Sequence, residues 1–168
     1  RPTNDVNEPF TAPFIEPELV TIDQGLHSKG DPWLPEGAEE TLGNNVDAFV
    51  NREPPSGFSE GDLRAAQTAP NTFDRIYQVE NEPDASTEQQ SAAITMAFYT
   101  LNFLHDWFYD HGFDEAAGNA QQKNFGRGGL DEDRLTAELQ DFSGRNNASI
   151  RSEERRVGKE CRSRWCPS

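Results

Sequence analysis

Residues 86–112 read STEQQSAAITMAFYTLNFLHDWFYDHG, and this stretch decides the fold class. Apolar side chains recur at Ile94, Ala97, Phe98, Leu101, Leu104 and Phe108. That is the i, i+3, i+4, i+7 spacing of one helical face. Ser86 stands where an N-cap belongs, and Gln89 three residues on completes a capping-box pattern. His111 falls in the last turn, where a cation suits the helix dipole, and Gly112 is a fitting terminator. The spacing predicts a helix over 86–111, roughly 37 Å long at ~1.5 Å per residue. Met96, Tyr99, Phe103 and Trp107 take up much of the remaining circumference, so protein is expected on several sides of it.

Shorter elements flank the helix. Gly43-Asn44-Asn45-Val46 reads as a turn leading into a strand through Ala48, Phe49 and Val50. Residues 71–79 place Phe73, Ile76 or Tyr77, and Val79 in rough alternation, which predicts a further strand. Leu135, Ala137 and Leu139 alternate with polar residues, as in a half-buried strand. Residues 113–118 suit one or two helical turns, with Asp114 near the start. One long helix with a few short strands makes the expected fold class α+β. Six of the eleven prolines fall in residues 1–35, a composition for an extended arm or a linker rather than helix interiors.

The last eighteen residues are of a different kind. Residues 151–168 read RSEERRVGKECRSRWCPS and resemble the translation of a sequencing adapter, whose opening AGATCGGAAGAG encodes Arg-Ser-Glu-Glu. The alternative is a real basic tail, solvated or bound to nucleic acid. A processing scar is set aside before fold reasoning, so 151–168 is read as a non-native tail. The whole chain has a net charge of −15; without the tail it holds 9 basic and 27 acidic groups, a net charge of −18. Such a surface repels nucleic-acid phosphates and anionic membranes, so neither is expected as a partner. Both cysteines, Cys161 and Cys166, lie in the tail. Residues 1–150 therefore offer no disulfide, thiolate zinc site or cysteine nucleophile.

Other chemistry is sparse. His105 and His111 lie six residues apart, about 240° around a helix, so they face different sides and do not make a ligand pair. A histidine among aromatics reads as a hydrogen-bonded core residue, and His27 sits alone between Gly25 and Gly30. Gly126, Gly128 and Gly129 around Arg127 form a tight turn, not a phosphate loop, since no Walker lysine accompanies them. No catalytic constellation is complete.

The block from Ala92 to Ala148 nevertheless carries four telling runs. They are Asn102-Phe-Leu-His-Asp-Trp-Phe-Tyr-Asp110, Gly112-Phe-Asp-Glu-Ala-Ala-Gly-Asn119, Asn124-Phe-Gly-Arg-Gly-Gly129 and Gln140-Asp-Phe-Ser-Gly-Arg-Asn-Asn-Ala148. In order and spacing they resemble the fungalysin family of secreted zinc metallopeptidases, which is thermolysin-like, just before its zinc-binding helix. The resemblance implies an N-terminal lobe, with residues 1–35 an extended arm or propeptide junction and 36–150 the truncated start of a catalytic domain. It implies Asn147 and Ala148 as substrate-binding residues on an edge strand beside which a peptide lies as an added strand. The Asn147 amide would supply a donor and an acceptor for the substrate backbone. Asn-Asn pairs also favour plain turns, and Asn147-Ala148-Ser149 is a glycosylation sequon.

The family's zinc ligands lie on a His-Glu-x-x-His helix and a later glutamate. No His-Glu-x-x-His occurs in this chain, so no metal ligand and no catalytic residue is assigned here. For the intact enzyme the resemblance implies one zinc that activates water against a peptide carbonyl. It also implies protein or peptide substrates, the protein's own propeptide as a partner, secretion and a monomer, with calcium left open. This chain alone is expected to be inactive. The competing reading is a non-catalytic acidic extracellular binding module.

Overall fold

A computed structural model describes residues 28–144. Within them the chain forms strand β1 (Val46–Val50), strand β2 (Leu63–Arg64), helix α1 (Thr87–Asp110) and strand β3 (Leu135–Leu139). A single 3-10 turn, Ser28–Gly30, precedes them. The strands form one sheet in the order β2-β1-β3. β2 runs antiparallel to β1, and β3 runs parallel to it with Val46 opposite Leu135 and Val50 opposite Leu139. The architecture is α+β, as the sequence predicts.

The central strand is the most apolar and the most buried. Val46, Ala48, Phe49 and Val50 are all inaccessible to solvent. A strand with neighbours on both sides satisfies its backbone, so burying it costs no unpaired amide. Helix α1 covers the sheet with Ile94 and Phe98, and Trp33, Leu34, Ala65 and Phe73 close the same core. The strands expected at 46–50 and 135–139 are present. No strand forms over residues 73–79; Phe73 is buried, but Ile76, Tyr77 and Val79 are exposed. At the end of this stretch Gln89 bonds both the N–H and the C=O of Gln78, at 2.8 and 2.6 Å, and ties the stretch to the start of α1. One side chain thereby takes the two Gln78 backbone groups that a neighbouring strand would need.

That use of Gln89 also halves the expected capping box. Ser86 Oγ accepts from the Gln89 N–H at 3.1 Å, as expected, but the Gln89 side chain turns to Gln78 instead of back to Ser86. At the other end, the Gly112 N–H bonds Tyr109 O and the Phe113 N–H bonds Phe108 O, each at 3.0 Å. Gly112 sits at φ +100°, the left-handed conformation that this paired closure requires.

The buried face of α1 differs from the expected one. Ile94 and Phe98 are buried, but Leu104 and Phe108 are 39% and 50% exposed. The inner stripe instead continues through Asn102, His105, Asp106 and Tyr109. At 100° per residue, the real face is turned by roughly a quarter of the circumference from the apolar one. Met96, Phe103, Trp107 and Phe108 lie outward, so the expectation of protein on several sides is not met among the described residues.

Candidate functional site

Buried polar groups converge on the inner stripe of the second half of α1. Asp106 is 1% exposed, and its carboxylate accepts from three donors. These are Trp33 Nε1 at 2.6 Å, Asn45 Nδ2 at 3.2 Å and His105 Nδ1 at 3.1 Å. A buried carboxylate is tolerable only when its lone pairs are filled in this way. The network runs on through Asn45 Oδ1, which accepts from Gln121 Nε2 at 3.1 Å, to Asn119, whose Nδ2 donates to Gln121 Oε1 at 2.7 Å.

A second cluster lies one turn along. Tyr109 donates its hydroxyl to the Glu115 carboxylate at 2.7 Å, and Arg127 Nε donates to the same carboxylate at 2.5 Å. The Arg127 guanidinium also pairs with Asp31. Burial raises the Tyr109 pKa to about 12, helped by the bond to Glu115. Burial works to raise Glu115 as well, but the bonds from Tyr109 and Arg127 outweigh it and leave its pKa below the ordinary carboxylate value. Arg127 is held above its usual value, first by its bond to Asp31. The glycine-rich turn serves this cluster. At Gly129, φ is +76°, and an added Cβ would stand 2.9 Å from Asn124 Nδ2 and 3.1 Å from Glu115 Cβ.

Both clusters bind parts of the fold to one another, and neither resembles a reaction centre. His105 is a buried, hydrogen-bonded core residue, while His111 is exposed and donates from Nδ1 to Trp107 O at 2.6 Å. The two histidines face different sides, as their spacing predicts. A zinc site needs several ligands around one point. His105 Nε2 is buried without a partner, yet no group of three or more His, Cys, Asp or Glu among the described residues could hold a metal. These residues do not fit a zinc ion. A groove of about 350 Å³ at the start of α1 is lined by Asp74, Glu88 and neutral neighbours, with no nucleophile-base pair.

Asn147 and Ala148, the expected substrate-binding residues, lie outside the described residues, as do His27 and the 151–168 tail. What is described is the approach to them. β3 forms an outer strand of the sheet, and after it Gln140 turns with φ +47° into the bend at 141–144. The Phe142 N–H returns to Asn51 O at 3.1 Å, which ties this bend to the end of β1.

The polar stripe and the edge-strand approach lie within a sequence span that known proteins share. The profile described as Fungalysin metallopeptidase (M36) matches residues 4–163. The chain belongs to the fungalysin metallopeptidase family. The matched span runs past Ile150 into the last eighteen residues. Extracellular metalloproteinase 2 of Arthroderma gypseum is 36% identical over 141 residues, covering 80% of this chain and 21% of that protein. Probable extracellular metalloproteinase 4 of Arthroderma benhamiae is 35% identical over 148 residues, covering 88% of this chain and 22% of that protein. Extracellular metalloproteinase 2 of Trichophyton tonsurans is 34% identical over 141 residues. The chain thus spans about a fifth of the length of these fungalysin relatives. No helix among the described residues is long and apolar enough to cross a membrane.

Proposed function

We propose that this chain is the N-terminal part of the catalytic domain of a secreted, zinc-dependent metalloendopeptidase that hydrolyses peptide bonds in proteins. The observation that carries the reading is the family match over residues 4–163, joined by relatives named as extracellular metalloproteinases. In this reading the zinc ligands belong to a His-Glu-x-x-His helix and a later glutamate encoded beyond Ile150. On the same reading, the tail 151–168 is not native sequence, although the family match runs into it as far as residue 163. The share of this chain in catalysis is substrate binding. The family resemblance implies that the segment holding Asn147 and Ala148 would serve as an edge at which a substrate peptide adds as a strand. Such an edge grips any peptide main chain regardless of its side chains. Asn147 and Ala148 are the binding residues, and the Asn147 amide fixes the register of the substrate backbone. Protein substrates and the protein's own propeptide are the partners, and the enzyme acts as a monomer.

The test is made on the full-length gene product, read from genomic DNA across the Ile150 codon. A His-Glu-x-x-His motif should follow Ile150, and the protein should hydrolyse casein with one zinc per chain. Asn147→Ala should lower kcat/KM by roughly 5- to 150-fold, the scale of about 1–3 kcal/mol for a lost buried hydrogen bond, at unchanged zinc content. The 168-residue chain alone should hydrolyse nothing. Recovery of RSEERRVGKEC from the genome, or an Asn147→Ala enzyme of full activity, would overturn the corresponding part of the proposal.

A further inference from the structure

The chain leaves the sheet through a residue held in an unusual conformation. Gln140, the first residue after β3, has φ +47°, the left-handed region that glycine favours. A residue with a side chain is strained there and persists only where its surroundings over-determine it. Here they do so from two sides. The Gln140 amide bridges two parts of the fold: its Oε1 accepts from Gln90 Nε2 and its Nε2 donates to Pro83 O, each at 2.8 Å. Gln90 is 5% exposed near the start of α1, and its own Oε1 accepts from the Arg52 guanidinium. Asn51 flanks the same residue along the backbone. The Asn51 N–H donates to Leu139 O and the Phe142 N–H donates to Asn51 O, each at 3.1 Å. Asn51 is itself inaccessible to solvent, and its Nδ2 donates to Glu138 Oε2 at 3.0 Å.

An outer strand can end in any solvated turn. At Gln140, directed bonds from α1, the turn before it and the end of β1 converge on one exposed, strained residue. What they fix is the direction in which the chain departs, and Asn147 stands seven residues further along the sequence. We infer that Gln140 is a positioning residue for peptide binding. Clamped between Gln90 and Pro83, it sets the course of the chain toward Asn147 and Ala148, and so the alignment of the substrate main chain. Main-chain hydrogen bonds weaken steeply when donor and acceptor fall out of line, so a small error of course costs binding. The inference rests on the reading of Asn147 and Ala148 as substrate-binding residues, and Gln140 acts through the segment it directs.

The experiment measures kcat and KM of the full-length protein on an internally quenched casein-derived peptide, with zinc content and thermal midpoint read on the same samples. Gln140→Ala removes both side-chain bonds and should raise KM roughly three- to tenfold, with kcat within about twofold of the parent and zinc content unchanged. Gln140→Gly removes the same bonds together with the strain, and should show the same rise in KM. Gln90→Ala leaves the bond to Pro83 in place and should raise KM less; it decides alone if Gln140→Ala does not fold. A residue that only supported the fold would lower kcat and the thermal midpoint at the parental KM, and that result overturns the inference. So does a parental KM in Gln140→Ala and Gln90→Ala, which leaves the peptidase reading intact when the parent is active. A parent that cleaves no peptide overturns the peptidase reading, and the inference with it.

Discussion

The two halves of α1 are held to the rest of the fold by different means. Its first half enters an apolar core with Ile94 and Phe98, both fully inaccessible. There the contact is non-directional and grows with the apolar area removed from water. Its second half faces inward with Asn102, His105, Asp106 and Tyr109; Asp106 bonds Trp33 and Asn45, Tyr109 bonds Glu115, and Asn102 and His105 bond within α1 itself. There the contact is directional, and most of its value is the cost of leaving a buried group unpaired. The difference teaches that the inner face of a helix is not always its apolar face. Aromatic side chains stand on the outer face of that second half because the inner one is already filled by a polar network.

The largest expected effects compare the two halves directly in the full-length protein. Phe98→Ala removes a fully buried ring and should cost about 3–5 kcal/mol. Asp106→Ala leaves the N–H groups of Trp33, Asn45 and His105 buried without their acceptor, and should cost a similar ~3–5 kcal/mol. Urea unfolding of both variants measures the pair. An Asp106→Ala cost below about 1 kcal/mol would break the comparison, because the second half would then be held by packing alone.

How much of this was legible follows the same divide. The helix, its Ser86 cap, its Gly112 stop and the strands around Val46–Val50 and Leu135–Leu139 depend on local periodicity and local backbone rules, and the sequence showed them. The face of the helix departs from the apolar reading from Leu104 onward. The partners of Asp106 are Trp33 and Asn45, distant by 73 and 61 residues, and no local pattern announces them. β2, two residues long, is too short to carry an alternation. The expected strand at 71–79 does not form: Ile76, Tyr77 and Val79 stay exposed, and Gln78 bonds Gln89 instead. Of the candidate site, the histidine assignments were readable from spacing and surroundings. Asn147 and Ala148 lie outside the described residues and rest on family resemblance alone, because nothing local in an Asn-Asn pair separates a peptide-binding segment from a plain turn.

A smaller effect sharpens the polar half through pH. Glu115 is held below the ordinary carboxylate value by Tyr109 and Arg127 despite burial. A depressed carboxylate contributes stability that is complete above the unfolded value and lost as pH falls through the folded one. Thermal midpoints should therefore decline below about pH 4.5, and Glu115→Gln should flatten that part of the decline. Tyr109 gives the opposite window. Its pKa is raised from 10.0 to about 12, so its stabilising share is whole below pH 10 and lost as pH rises between those values. Tyr109→Phe should remove that alkaline loss, as read by circular dichroism. An alkaline profile identical in the variant and the parent would show that the hydroxyl is not titrating inside the fold.

The smallest effect is expected on the outer face, and its dependence on context is the informative part. Phe108 is 50% exposed and Trp107 39%, and the two rings pack edge-on with centroids 5.0 Å apart. In the 168-residue chain, Phe108→Ser removes little buried area, so stability should change by under about 0.5 kcal/mol. On the proposed reading, a C-terminal continuation in the full-length protein would cover this face. A large aromatic ring buries roughly 150–250 Å² at ~25 cal/mol per Å², so the same substitution should cost several times more there. The short chain should also bind a hydrophobic dye, and the full-length protein should not. Equal and small effects of Phe108→Ser in both lengths would mean that this face stays open in the whole protein. The 168-residue chain would then already be as complete around α1 as its parent, which is the outcome the acidic binding-module reading requires.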